Sequence, residues 1–497
     1  MNTHVPPQAV IPSKVTLPEH RDAYYGGKWQ APKDGRYVDT VNPGTGDSLG
    51  KVADCGSADM DAAIASAKAA FKEWRRVPPL ERAAILKRVA QILRENAGEL
   101  AMIDAADCGN PVKEMMADAQ IAAAQMEFFA GLVTEVKGSS IPMGPDVVNF
   151  SVREPRGVIG RIIPFNHPFM FCAGKSAAAL ATGNTIVVKP PEQAPLSSLR
   201  LAELCDGLFP PGVFNVVPGG KEAGARLSEH PDVAMVALVG SVPTGRAVMK
   251  AAADTVKPLL LELGGKNALI AFADADPDEV AAGVISGMNF TWCGQSCGST
   301  SRAFIHEKIY DAVLAKVKEK AAFYKPGIPT DPATTMGAIV SKVQFDRVLS
   351  YLDSAKSDGA RLLYGGSCPS DPKLVNGFYV EPSIYVDCTP DMKIAREEIF
   401  GPVLAIFKWS DEKIMLDQVN AVEYGLTCSI WTNDLTIALR TAMAIEAGFV
   451  WVNETSRHYL GAPFGGYKQS GIGREECIEE MFAFTQEKNI HVKLKHR

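Results

Sequence analysis

Val158-Ile159-Gly160-Arg161-Ile162-Ile163-Pro164, Thr185-Ile186-Val187-Val188-Lys189-Pro190-Pro191 and Val233-Ala234-Met235-Val236-Ala237-Leu238-Val239-Gly240-Ser241 repeat one pattern, a short apolar run rich in β-branched residues and closed by proline or glycine. Such runs read as buried strands, because proline removes a ladder donor and glycine frees the turn. Two further runs, 214–217 and 259–263, complete the series. Helical stretches separate them: one after Pro168 through an alanine-rich segment to Leu180, one from Leu196 to Leu208, a short one after Gly220, and one containing Val248. Strands alternating with crossover helices predict an α/β, doubly wound, mostly parallel sheet whose ligand lies beyond the carboxyl ends of the strands.

Upstream, residues 57–100 read as helices. Ile64, Ala67 and Phe71 share a face with Ser57 and Asp59 as candidate caps, and Pro79 opens a second helix striped by Ile85, Leu86, Val89, Ile92 and Leu93. A third helix is expected from Lys113 to about Val136. A second α/β run follows from about Lys266 to Gly473, with helices near 277–287 and 309–324. Residues 148–152 and 489–494 each alternate apolar and polar side chains, as edge strands in need of partners do, and so point to oligomerisation. Residues 1–20, with prolines at 6, 7, 12 and 18 and no apolar core, read as an extended arm, not a secretory signal.

At 497 residues the chain exceeds one hydrophobic core, so two or three domains are expected. The net charge of −6 excludes the basic footprint of a nucleic-acid binder. No apolar run approaches a membrane span. Ten cysteines at irregular spacing, without a CxxC pair, argue against a disulfide framework or a zinc site and for a reducing compartment, with the cytoplasm as the expectation.

The chemistry concentrates in Gly294-Gln295-Ser296-Cys297-Gly298, where small, flexible neighbours expose a thiol and bring main-chain N–H groups near a substrate. The other cysteines, Cys293 included, lack this frame and read as small buried hydrophobes. Upstream, Leu261-Glu262-Leu263-Gly264-Gly265-Lys266 carries a carboxylate in an apolar run; nucleophile and buried base together suggest covalent catalysis followed by hydrolysis. Asn166 offers an amide to an oxyanion, although an asparagine also suits a turn here, and His167 beside it reads as structural or exposed. Gly240-Ser241 at a helix N-terminus suits a phosphate, with Gly245 one turn on. Lys189 adds positive charge, and Glu192 offers an acceptor for ribose hydroxyls that would repel a 2′-phosphate. No GxGxxG is present, and the same residues occur in ordinary βα turns.

Pro164-Phe165-Asn166-His167-Pro168, the Glu262 and Cys297 motifs, Glu397-Glu398-Ile399-Phe400-Gly401-Pro402 and Pro463-Phe464-Gly465-Gly466-Tyr467-Lys468-Gln469-Ser470-Gly471 occur in order over nearly the whole chain. In this combination they resemble the aldehyde dehydrogenase superfamily of the NAD(P)-dependent, non-phosphorylating, hydrolytic type. The resemblance implies a Rossmann-like cofactor domain (21–135 and 155–263), an α/β catalytic domain (264–473) and a small β oligomerisation segment (136–154 and 474–497), assembled as a homodimer or homotetramer. It implies that Cys297 attacks the aldehyde to give a thiohemiacetal and then a thioester, that Asn166 and the Cys297 N–H hold the oxyanion, and that Glu262 activates the hydrolytic water. Because a free thiol is only a few per cent ionised at neutral pH, activation of Cys297 by the site is expected. It further implies NAD as cofactor, bound by Pro164, Lys189, Glu192, Gly240, Ser241, Glu398 and Phe400, with Glu192 favouring NAD over NADP.

Phe165 and His167 replace the family's usual Trp and Phe, and Trp292 stands where asparagine is common. Phe171, Gly174, Trp292, Ser296, Gly298, Arg457, His458 and Phe464 are the expected substrate contacts, with Gly174 leaving room for a ring or long chain. They favour an aromatic or medium-sized hydrophobic aldehyde. The alternatives are betaine aldehyde, held by cation–π contact, or a semialdehyde whose carboxylate meets Arg457, unless that arginine only forms a surface ion pair. A CoA-acylating enzyme is disfavoured by Glu262, and a non-catalytic scaffold by the set Asn166, Glu262 and Cys297.

Overall fold

The computed structural model describes residues 10–495; residues 1–9 of the expected N-terminal arm lie outside them. Two α/β sheets and a three-stranded ribbon organise the chain. In the first sheet the parallel strands run in the order Phe214–Val216, Thr185–Lys189, Val158–Ile162, Val233–Gly240, Leu259–Leu263. The chain winds outward to one side from Val158–Ile162 and resumes on its other side with Val233–Gly240, which makes the gap between these two strands the topological switch point. All five residues of Val158–Ile162 and of Thr185–Lys189 are buried, as a sheet covered on both faces demands.

Ala23–Tyr25 and Lys28–Gln30 extend one edge of this sheet. Gly471–Ile472, expected to belong with the second body, adds antiparallel to Leu259–Leu263 at the other edge and pairs Gly471 with Glu262. A Cβ at Gly471 would overlap the Leu261 carbonyl, so the C-terminal glycine-rich motif lies directly against the strand bearing the candidate base.

The helix expected from Pro168 to Leu180 is two, Pro168–Gly174 and Ala177–Ala181. The break lies where Ser176 N–H turns to the Ala173 carbonyl and its hydroxyl donates to the Cys172 carbonyl. Upstream, Ala97–Asp107 adds a helix after the expected two, and the helix expected from Lys113, Val112–Gly131, stops short of Val136. It packs against Pro168–Gly174 and brings one of its faces to the site.

The second sheet has a parallel core, Ser383–Val386, Val403–Trp409, Arg302–His306, Ala268–Ala271, Thr427–Trp431 and Phe449–Val452, edged by antiparallel Arg361–Tyr364. The two alternating segments partner each other: Thr485–Lys493 pairs antiparallel with Val147–Pro155 along its whole length, and Ser140–Ile141 closes the ribbon. Ile141, Val148, Val492 and Leu494 remain exposed on it.

Candidate active site

The loop around Cys297 is built by backbone that turns left. Asn289, Cys293 and Gly294 all have positive φ, and a Cβ at Gly294 would overlap the Gly401 carbonyl. Gln295, 1% exposed, anchors the loop by accepting from Val340 N–H at 3.1 Å. Asn267 fixes the other flank, donating to the carbonyls of Cys297 (2.6 Å) and Ser299 (3.0 Å). Cys293 is fully buried and its thiol meets the Gly337 carbonyl at 3.1 Å, a structural role. Cys297 is partly exposed, and the space it faces is a cavity of about 410 Å³.

That cavity brings Cys297, Glu262 and Asn166 together with Phe171, Trp292, Ser296, Gly298, Arg457, His458 and Phe464. Asn166 is held from behind, its carbonyl accepting from Asn110 at 2.6 Å, while its side-chain oxygen has no protein partner. Burial, with a smaller contribution from nearby Glu475, pushes Glu262 up to about 8. One Glu262 oxygen is buried without a hydrogen bond.

Activation of the thiol is not what the protein alone provides. Burial, followed by the neighbouring Glu262 charge, holds Cys297 well above an ordinary thiol, and the opposing pull of Lys175 is weaker. The position expected of Gly174 is also different. It does not line the cavity, because a Cβ there would overlap the Gln125 side-chain oxygen. The space freed by this glycine is filled by the protein.

Behind Glu262 lies a buried ion cluster. Glu475 accepts from Arg161 at 2.8 Å and pairs with Lys175 at 2.9 Å, and Glu476 meets Lys175 at 3.4 Å and His458 at 3.1 Å. Arg457 sits at the exposed rim, its nearest carboxylate Glu454 at 3.9 Å. Sequence reasoning missed this cluster and the wall supplied by Val112–Gly131, namely Asp118, Ile121, Ala124 and Gln125. The spacing of these residues along one helix face was the available signal.

The remaining expected residues surround the switch point. Pro164 and Ser241 follow the two strands that flank it, and Ser241 caps the helix Val242–Ala253 by accepting from Thr244 N–H at 3.4 Å. Gly245 lets this helix approach the sheet, since a Cβ would stand 2.6 Å from Leu263 Cδ1. Lys189 is buried and lowered to about 8 by desolvation; its ammonium donates to the carbonyls of Pro190 (2.6 Å) and Gly219 (2.7 Å). Glu192 is exposed beside Gly220, 3.1 Å from where a Cβ would stand. Glu398 accepts from Gly265 N–H at 3.0 Å, and a side chain at Gly264 would overlap it. Phe400, with positive φ, packs edge-on against Phe165. A glycine cradle at a helix N-terminus, an exposed carboxylate at one end and a buried one at the other fit a dinucleotide.

The Aldehyde dehydrogenase family model matches residues 29–490. An aldehyde dehydrogenase of Talaromyces stipitatus designated tropH is 50% identical over 491 residues, covering 97% of this chain and 95% of that protein. A solved aldehyde dehydrogenase from Bacillus cereus in complex with NAD+ superposes with a TM-score of 0.93 at 38% identity, over 96% of this chain and 97% of that one. An indole-3-acetaldehyde dehydrogenase from P. syringae, a mutant in complex with NAD+ and IAA, gives a TM-score of 0.93 at 36% identity over 97% of each chain. The chain belongs to the aldehyde dehydrogenase family. It is an aldehyde dehydrogenase, and the two solved relatives just named are NAD+ complexes. Among the described residues no helix is long and apolar enough to cross a membrane.

Proposed function

We propose that this enzyme oxidises an aromatic or medium-sized hydrophobic aldehyde to its carboxylic acid, with Cys297 as nucleophile, Asn166 and the Cys297 N–H as oxyanion donors and Glu262 as base. The observation that carries the reading is that one cavity holds Cys297, Glu262 and Asn166 beneath Met170, Phe171, Trp292, Trp451 and Phe464. Its volume suits a substrate of one or two rings.

In this mechanism the Cys297 sulfur forms a bond to the aldehyde carbon, its proton passes to Glu262, and the carbonyl oxygen gains the negative charge. Asn166 Nδ2 and the Cys297 N–H donate to that oxygen. NAD, when bound through Ser241, Lys189, Glu192 and Glu398 with Phe400 alongside, supplies the hydride acceptor and a positively charged ring. Loss of the carbon's hydride to that acceptor would turn the thiohemiacetal oxyanion into the Cys297 thioester. Glu262, having released its first proton to solvent, would then take one from water as the water oxygen adds to the thioester carbon, the C–S bond breaks, the thiolate regains a proton and the acid leaves. The raised Glu262 suits both duties, because a base poised near neutral pH exchanges protons in either direction.

The reading is tested by kcat/KM for NADH formation, without CoA, across phenylacetaldehyde, benzaldehyde, hexanal, propanal, betaine aldehyde and succinic semialdehyde, each with NAD and NADP. The aromatic aldehydes with NAD are expected to lead, and a preference for propanal would refute the reading. Arg457 at the cavity rim supports a second reading, a carboxylate-bearing semialdehyde, which a lead for succinic semialdehyde would establish. The exposed apolar residues of the three-stranded ribbon support a homodimer or homotetramer, measured by light scattering. Ten free cysteines support a reducing compartment such as the cytoplasm.

A further inference from the structure

Most polar side chains that line the cavity away from the reacting atoms already have partners. Asp118 and His167 hold each other at 2.8 Å, and Lys175 and His458 are both tied to Glu476. Gln125, Trp292 and Ser456 each keep a buried polar atom without a partner, and of these Gln125 alone brings a whole amide to the wall. It is 3% exposed, it lines the cavity, and its side-chain oxygen is buried without a hydrogen bond. Among the described residues no hydrogen bond reaches its amide oxygen. A primary amide has four hydrogen-bonding positions; the oxygen end of Gln125 is buried unpaired, and a ligand that covers the N–H₂ end without accepting from it adds to that cost.

The protein keeps the amide there. Gly174 carries no Cβ at the one place where a methyl group would overlap the Gln125 oxygen, so the helix Pro168–Gly174 accommodates the amide as if it were required. The surrounding wall, Ile121 and Ala124 on the same helix with Met170 and Phe171 opposite, supplies no partner. Trp292 and Phe171 pack edge-on to His167 and keep that side of the cavity shaped for a flat ring.

We propose that Gln125 is a specificity residue: its oxygen is packed against Gly174, and the preferred aldehyde carries a hydroxyl away from its formyl group whose oxygen accepts from the Gln125 amide N–H. The proposal rests on the reading of this cavity as the aldehyde site. It adds to that reading that a purely hydrocarbon aldehyde is a poor substrate, because it would bury the amide unpaired.

The experiment compares matched pairs, 4-hydroxybenzaldehyde and 3-hydroxybenzaldehyde against benzaldehyde, and 6-hydroxyhexanal against hexanal, in the wild type and in Gln125→Met. Methionine keeps the length and volume of glutamine and removes the amide. A neutral hydrogen bond recovered from an unpaired group corresponds to about tenfold in kcat/KM. The wild type is therefore expected to favour at least one hydroxylated member of a pair by about tenfold or more, and Gln125→Met is expected to erase that ratio mainly by improving the hydrocarbon aldehyde. Gly174→Ala, which displaces the amide without touching substrate, is expected to lower the same ratio, and unchanged NAD affinity in both variants shows that the fold is kept. Equal kcat/KM within every pair in the wild type, or a hydroxyl preference that survives Gln125→Met, overturns the proposal. Failure of the aromatic reading looks different: the aliphatic pair then outruns the aromatic one, while the ratio within the aliphatic pair still reports on Gln125.

Discussion

The Glu262 carboxyl offers the sharpest test of the proposed chemistry, because its position predicts a pH profile with a known sign. Burial, reinforced by Glu475, raises it to about 8. Only its ionised form accepts a proton from water. With that midpoint about a tenth is ionised at pH 7 and about nine-tenths at pH 9, so hydrolysis of an acylated Cys297 rises about tenfold across the interval. Para-nitrophenyl acetate acylates the thiol without NAD, so the burst of nitrophenolate reports acylation and the steady rate that follows reports hydrolysis. The wild-type steady rate is expected to climb with a midpoint near pH 8. Glu262→Gln is expected to keep a burst and lose the steady rate by about a hundredfold or more. A flat steady rate between pH 7 and 9 in the wild type refutes the reasoning, as does a Glu262→Gln variant with the same slope. Stability supplies a second arm with its own sign. A carboxyl raised on folding stabilises the native state below its unfolded value and loses that contribution as pH rises through about 8. Glu262→Gln is therefore expected to resist denaturant better than the wild type at pH 9.

Glu475→Gln leaves Arg161 and Lys175 buried without their shared carboxylate, so denaturant titration is expected to show a loss of about 3–5 kcal/mol; a loss below about 1 kcal/mol would mean that the cluster is not a structural tie. The same substitution removes a negative neighbour of Glu262, so the ester-hydrolysis midpoint is expected to move to lower pH. Gly245→Ala pushes the capped helix off Leu263, and calorimetry is expected to show NAD binding weakened about tenfold with ester acylation unchanged. Replacing Glu192 by serine removes the charge that would face a 2′-phosphate, and the ratio of kcat/KM for NAD over NADP is expected to fall about tenfold at low ionic strength.

Much of the site was readable from the chain because its parts are local. A strand that ends in proline or in Gly-Ser presents its next residues beyond the sheet edge whatever else surrounds it, and this places Asn166 and Ser241 on either side of the switch point. The Cys297 pentad carries its own turn, since Gly294 adopts a backbone that larger side chains resist. Helix lengths were less certain: the alanine-rich stretch after Pro168 satisfies a helical pattern throughout, yet Ser176 bonds back to its own turn and splits it. The domain edges suffered similarly, since two residues, Gly471 and Ile472, are enough to join a sheet and far too few to announce themselves.

By itself, then, the sequence determined the family and the parallel sheet, and it singled out Cys297, Glu262 and Asn166 as the proposed nucleophile, base and oxyanion amide, because each stands in a short motif whose backbone geometry follows from its own residues. The tertiary structure alone decided that Gly174 makes room for Gln125 and not for substrate, that Lys175, Arg161, Glu475 and Glu476 form one buried cluster, and that the Cys297 thiol is pushed up, not down. Those outcomes depend on burial and on contacts between residues far apart along the chain. Desolvation and the distance between charges set them, and no local period records either quantity.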